Sequence, residues 1–268
     1  MSSIEDAARR LRAAHDQRVP TGPVRDAMAD AIESLGEVAA GYAVQAINDE
    51  AAVASGRRRS GYKIGLTNPM GQQFFGVDEP TFGVLYDDAR VAAGEVVACE
   101  RLMQPRLEGE VAIALGADLD GDHHDLDGVA AAVDHVVAAI EIVDCRVDDW
   151  KITAVDMIAD NMASGLYVLG DHPMSLDEIG GLADIPMTMS VDGEQRSAGI
   201  GAGCLGNPLN AVMWLANEMA KRGTPLRAGA HIMSGALGPI IPMPHTSTIT
   251  ADFGPLGSVS TSWAARDA

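Results

Sequence analysis

The chain has 268 residues, 47% of them apolar, which is enough for one large domain with a substantial core. Its 38 acidic side chains against 19 basic ones leave a formal net charge of -19, a surface that repels phosphate backbones and anionic membranes and so argues against nucleic acid or a membrane as partner. No apolar run reaches the ~18 residues of a membrane span, and the three scattered cysteines, Cys99, Cys145 and Cys204, suggest neither a disulfide framework nor a zinc site.

In chain order, residues 3–18 read as a helix with Ala8, Leu11 and Ala14 or His15 on one side. It follows Ser2-Ser3-Ile4 with no signal-peptide pattern, and the expectation is a cytoplasmic protein. The stretch 19–23, rich in proline and glycine, breaks this helix. A second helix is expected over about 37–55, with Val38, Tyr42, Gln45, Ala46 and Asp49 at helical spacing and Gly56 and Arg57 to Arg59 closing it. From residue 60 the pattern turns to strands, over 60–66, 81–85, 91–97 and 108–115. An acidic loop occupies 118–128, Asp127 is expected to cap a helix over about 128–138, and a strand carrying Glu141 follows. Loop and short helix are expected over 155–165, then strands at 167–169 and 185–191, with a hairpin turn at Asp192-Gly193. The clearest helix is 207–222, with Asn207 as N-cap, Pro208 at its first position and Gly223 just past its end. The tail returns to strand: Ile232-Met233, a glycine-rich loop over 234–239, and two alternating segments joined at 254–257. Strands without regular βαβ alternation imply an α+β fold with a rolled or sandwiched sheet, preceded by a helical segment over 1–59 and filling 60–268.

Three glutamates carry the chemistry. Glu108 and Glu110 lie two apart on one strand, so they share a face, with Val111, Ile113 and Leu115 on the other. Glu141 interrupts the apolar run 136–143. A bare carboxylate in such a place costs several kcal/mol to bury unless it is neutralised, paired or bound to a cation. The trio reads as an oxygen-ligand site for a hard divalent ion, Mg²⁺ or Mn²⁺; the other reading of Glu108 and Glu110 is the polar face of an exposed strand. Lys63 sits between Gly61 and Gly65, where a backbone or ligand can approach closely. It either binds a carboxylate and exchanges protons, or snorkels to solvent. The polar cluster 158–165 either supplies hydrogen bonds to a substrate or caps local backbone. The acidic loop 118–125 resembles a calcium loop, but His123 replaces its turn glycine and Val129 its bidentate glutamate, so it reads as a solvated loop. There is no Gly-x-Ser-x-Gly elbow and no P-loop, and the run 199–203 lacks the βαβ unit of a dinucleotide site.

The runs Gly61-Tyr-Lys-Ile-Gly-Leu-Thr67, Gln72 to Pro80, Phe82-Gly83, Gln104-Pro-Arg-Leu-Glu-Gly-Glu110, Glu141 to Arg146, Asp149-Trp150, Asp156 to Asn161, Cys204 to Asn210, Ser234 to Pro239 and Gly257-Ser-Val259 together resemble the 2-keto-4-pentenoate hydratase family, of the fumarylacetoacetate hydrolase-like superfamily. The resemblance spans nearly the whole chain. It implies a mixed β-roll core of the fumarylacetoacetate hydrolase C-terminal type as a catalytic domain, a Mg²⁺ or Mn²⁺ cofactor, and a homo-oligomer able to work in complex with other enzymes of its pathway. By motif, Glu108, Glu110 and Glu141 look like the metal carboxylates and Lys63 like the family's active-site lysine. Asp160 and Ser164 are further expected catalytic positions; Gln104, Arg106, Asn161, Gly235, Ala236 and Leu237 are expected to bind substrate. The implied activity is hydration of 2-hydroxypenta-2,4-dienoate, a small oxo-acid tautomer of aromatic meta-cleavage catabolism, to 4-hydroxy-2-oxopentanoate. Two departures stand out: Thr81 stands where family hydratases usually have Asp, and Met162-Ala163 stand where they have Ala-Ser, with Ser164 one place later. The related 4-oxalocrotonate-type decarboxylase, or a non-catalytic subunit that binds metal and oxo acid, are the alternatives.

Overall fold

The structure is a computed structural model that describes residues 2–244 and 246–264. The first helix, α1 (Ser3–Gln17), is fixed by a capping box in which Ser2 and Glu5 satisfy each other's backbone donors, and it buries Ala7, Ala8, Leu11 and Ala14. Two more helices follow, α2 (Ala29–Leu35) and α3 (Glu37–Ala54). Of these α2 was not foreseen: no described side chain caps it, and its seven residues bury nothing of their own. The helices share a core with the body of the chain, since Leu11, Val24, Met28 and Val44 cluster with Val143, Cys145, Val147, Val155 and Ala159.

Next come β1 (Arg59–Gly65), α4 (Pro69–Phe75), β2 (Thr81–Tyr86), β3 (Arg90–Val91), β4 (Val96–Ala98), β5 (Pro105–Leu115), α5 (Leu126–Ala132) and β6 (Val133–Asp144). The single strand expected over 91–97 is two short ones, because Gly94 turns the chain with φ 77°. The helix expected over 128–138 ends at Ala132, and Asp125, not Asp127, caps it by accepting from the Gly128 amide. The β-branched Val133, Val136 and Val137 belong instead to β6, where such side chains suit a pleated surface. The rest is α6 (Ala154–Ala159), β7 (Leu166–Leu169), α7 (Leu176–Ile179), β8 (Pro186–Val191), β9 (Glu194–Ile200), α8 (Pro208–Lys221), β10 (His231–Met233), β11 (Ile241–Pro242), β12 (Ser247–Asp252) and β13 (Ser258–Ala264). As expected, Asn207 caps α8 through the Leu209 amide, with Pro208 at its first turn.

The strands form two sheets. The larger runs β2-β1-β10-β5-β6-β7-β3, with β11 also on β5; the smaller runs β4-β13-β12-β8-β9. Both mix parallel and antiparallel pairs. The smaller sheet packs on the larger, β8 against β5 and β12 and β13 against β6, which is the expected α+β, curled-sheet architecture. Gly109 permits the approach: a Cβ there would lie 2.8 Å from Met187 Sδ of β8. The residue between Glu108 and Glu110 is therefore a packing glycine on the opposite face of the strand. Among the described residues no helix is long and apolar enough to cross a membrane.

Asp156, fully buried, ties the N-terminal helices to this body. It accepts from the Val24 and Arg25 amides at 2.9 and 3.0 Å and pairs with the Arg25 side chain. Asp156→Ala leaves those donors without a partner, and a loss of about 2–4 kcal/mol of unfolding free energy is expected in urea titration; a loss below about 0.5 kcal/mol would show the tie to be dispensable.

Candidate functional site

The β5–β6 ladder assembles the carboxylates. In register, Glu108 lies directly opposite Glu141 and Glu110 opposite Ala139, so the period-two spacing and the cross-strand pairing put all three carboxylates on one face. One oxygen from each lies within 4.8 Å of the others. Glu110 and Glu141 are buried at 0% and 1% exposure, and Glu108 is half-buried; the reading of Glu108 and Glu110 as a solvated face does not hold. Lys63 arrives on β1 by way of β10, since Lys63 registers with Met233 and Met233 with Ala112 of β5. It is buried too, which removes the snorkelling reading. Its Nζ donates to the Met162 carbonyl at 2.9 Å and lies 2.8 Å from Glu141 Oε1, an ion pair close in distance but poorly directed for a hydrogen bond. Of the flanking glycines, Gly61 meets the His231 backbone and Gly65 the Met162 side chain.

The site holds more negative charge than its own donors satisfy. Glu110 Oε2 accepts from the Gly235 amide at 2.8 Å, but Glu110 Oε1 and both Glu141 oxygens are buried and accept no hydrogen bond from the described residues. Burial pushes Glu108 up to about 7; Lys63 and Arg106 pull it down and Glu141 pushes it further up. Burial, then the charges of Glu141 and Glu108, raise Glu110 well above the carboxylate range. Burial lowers Lys63, but Glu141, Glu108 and Glu110 outweigh it and hold the ammonium above its ordinary value. Three crowded oxygen ligands with unused lone pairs and one lysine fit a hard divalent cation, which would supply the missing positive charge. Among the described residues this is the one such cluster of metal-ligating side chains.

The other expected site residues divide. Gly235 donates to Glu110, and Ala236 follows it half-buried. Arg106 lies on the strand face of Glu108 and Glu110, stacked 4.1 Å over the Trp150 ring, and forms no ion pair among the described residues. The remaining ones are committed elsewhere. Gln104 donates from its amide nitrogen to the Cys145 and Val147 carbonyls and accepts at its amide oxygen from the Asp149 amide, so it braces a loop. Leu237 is buried, its amide bonded to the Gly109 carbonyl. Asn161 spends both ends of its amide on the Val84 backbone. Asp160 is buried in an ion pair with Arg146; burial lifts it to about 6 against the pull of that guanidinium. Arg146 also donates to the Ser164 carbonyl. Asp160, Asn161 and Ser164 line a groove of about 540 Å³ beside the N-terminal helices, which the glutamate trio does not line. The groove's charges largely neutralise one another, through Arg57 with Asp88 and Arg146 with Asp160. The excess of unsatisfied charge lies at the trio.

The two departures from the family pattern prove to be neighbours: the Thr81 hydroxyl donates to Met162 Sδ at 3.0 Å, both buried. Met162 had no signal in the sequence beyond that departure, yet its carbonyl is the partner of Lys63.

Residues 65–262 match the model of the family described as Fumarylacetoacetate (FAA) hydrolase C-terminal. The chain is 44% identical over 257 residues to the 2-keto-4-pentenoate hydratase of Paraburkholderia xenovorans, covering 96% of this chain and 93% of that one. It is 41% identical over 194 residues to the 2-hydroxyhexa-2,4-dienoate hydratase of Comamonas testosteroni, covering 70% and 72%. Among solved structures it is similar to the 4-oxalocrotonate decarboxylase of Pseudomonas putida complexed with magnesium and adipate, with a TM-score of 0.88, 32% identity and 97% of each chain covered. The fold, the buried acidic ladder and these likenesses place the chain in the fumarylacetoacetate hydrolase C-terminal family, among the 2-keto-4-pentenoate hydratases.

Proposed function

We propose that this chain is a divalent-metal-dependent hydro-lyase that adds water to 2-hydroxypenta-2,4-dienoate, giving 4-hydroxy-2-oxopentanoate in aromatic meta-cleavage catabolism. The observation that carries the reading is the buried cluster of Glu108, Glu110 and Glu141 with Lys63 against Glu141. Glu108, Glu110 and Glu141 would hold one Mg²⁺ or Mn²⁺, which when bound supplies Lewis-acid stabilisation of the negative charge that develops on the 2-oxo oxygen. The dienol takes a proton at C5 and becomes an α,β-unsaturated ketone, and water then adds at C4. Lys63, buried and held as the ammonium, balances the charge of the substrate or moves a proton. Arg106, on the same face and in no ion pair among the described residues, would take a substrate carboxylate. The homo-oligomer belongs to the same proposal, and Met70 and Phe74, each 79% exposed on one side of α4, are apolar surface of the kind it would cover.

The test follows dienoate absorbance with Mg²⁺, with EDTA, and in Lys63→Ala. The expected result is turnover that EDTA abolishes and that Lys63→Ala cuts by more than about tenfold; an EDTA-resistant rate, or a lysine variant as fast as the parent, overturns the reading. The likeness to a decarboxylase supplies the second arm, release of CO₂ from a six-carbon 2-oxo diacid. The higher identity to hydratases favours water addition. A protein that binds a 2-oxo acid with Mg²⁺ but turns over neither compound would be a binding subunit.

A further inference from the structure

Residues Asn161, Met162 and Ala163 have φ of 51°, 54° and 52°. Three successive left-handed residues without glycine are rare, because the Cβ crowds the following carbonyl, and Asn alone of the three tolerates the region well. Such a run persists only where its surroundings impose it. Here the surroundings are visible. Asn161 Oδ1 accepts from the Val84 amide at 2.7 Å and Nδ2 donates to the Val84 carbonyl at 2.9 Å, so one side chain pairs with β2 as a strand would. Gly83, directly opposite Lys63 in the β1–β2 ladder, makes room: a Cβ there would lie 2.5 Å from the Asn161 carbonyl oxygen. The outcome of this turn is that the Met162 carbonyl points at Lys63 Nζ, 2.9 Å away, while Glu141 Oε1 lies on the ammonium at 2.8 Å.

We propose that Asn161 is a positioning residue: by clamping Val84 it holds the left-handed turn that presents the Met162 carbonyl to Lys63 and so fixes the ammonium beside Glu141. The proposal rests on the functional reading of Lys63 given above. Lys63 is buried away from bulk solvent, so a turn that relaxes costs the amine its acceptor and lets it leave its place. Misplacing a working group by about 1 Å costs on the order of 10²-fold in rate.

The experiment is a double-mutant cycle on dienoate hydration, with Mn²⁺ affinity measured separately by titration. Asn161→Ala in the parent is expected to lower kcat by at least about tenfold, with KM within about threefold and Mn²⁺ affinity unchanged. In a Lys63→Ala background the same change is expected to alter kcat by less than about twofold, because its effect passes through the lysine. Losses that multiply in full overturn the positioning role and leave the lysine's role standing. A Lys63→Ala variant as fast as the parent overturns both. Should Asn161→Ala fail to fold, Asn161→Gly keeps the left-handed backbone at no steric cost and removes only the clamp, and the same cycle decides.

Discussion

Glu108→Gln is expected to abolish Mg²⁺-dependent turnover, a loss on the order of 10³-fold or more, while the protein stays folded. The rate follows from the chemistry proposed for the trio: the ion's stabilisation of developing charge is worth several kcal/mol, and each 1.4 kcal/mol is about tenfold. An amide keeps the shape of the carboxylate but removes one of three negative charges that would attract the cation. Retention of the fold follows from the present electrostatics. Burial already pushes Glu108 up to about 7, with the Glu141 charge adding to it, so the ionised form is a burden that the neutral amide lifts. Glu141→Gln should behave differently. It also removes the ion-pair partner of a buried lysine, and an unpaired buried ammonium is destabilising. Dienoate absorbance with saturating Mg²⁺, together with far-UV circular dichroism, checks both statements. A Glu108→Gln protein that retains its rate to within about tenfold would remove Glu108 from the ligand set.

The difference between those two glutamates marks what one sequence can reveal. The shared face of Glu108 and Glu110 is legible because strand side chains alternate with a period of two, and Glu141 is legible because a carboxylate amid valines and isoleucines has to be compensated. The Lys63–Glu141 contact is not legible, because it depends on the strand order β1-β10-β5-β6, in which a late strand inserts between two early ones. No local periodicity encodes such an insertion. The same limit explains Asp160. In sequence it is one polar residue in a polar cluster; in the fold its partner is Arg146, which arrives from the end of β6. Asn161 looks like a substrate ligand until Val84 is seen to take both ends of its amide. The helix expected beyond Ala132 failed for a different reason. Its valines and alanines are compatible with either period, and pairing between β6 and β5 decided the outcome. The first helix was legible from its apolar spacing, with Ala8, Leu11 and Ala14 on one side, and the last from its end signals, Asn207 with Pro208.

Magnesium is expected to stabilise the protein increasingly as pH rises from about 5 to about 8, and the sign follows from the crowded carboxylates. In protein stripped of divalent ions by EDTA, Glu108 titrates near 7 in the folded state and near 4.5 in the unfolded one. Between those values the folded state binds the extra proton. Its share of stability is therefore present below about pH 4.5 and is lost as pH rises through about 7. A shift of this size corresponds to roughly 3 kcal/mol at most, and Glu110, raised in the same direction, adds to it. A divalent cation bound to the trio favours the ionised carboxylates, and its binding expels those protons. The gap between Tm with Mg²⁺ and Tm with EDTA should then widen by roughly 5–10 °C across this range. Taking the difference at each pH cancels the titration of carboxylates remote from the site, such as Asp118, whose hydrogen bonds with the Ala228 amide and Arg227 hold it low in either condition. Glu108→Gln should flatten the dependence, since the group that titrates near 7 is gone and the ion's hold on the trio is weakened. Differential scanning fluorimetry at matched ionic strength is sufficient. A Tm gap that stays constant or shrinks toward pH 8 would mean that these carboxylates do not exchange their protons for the metal.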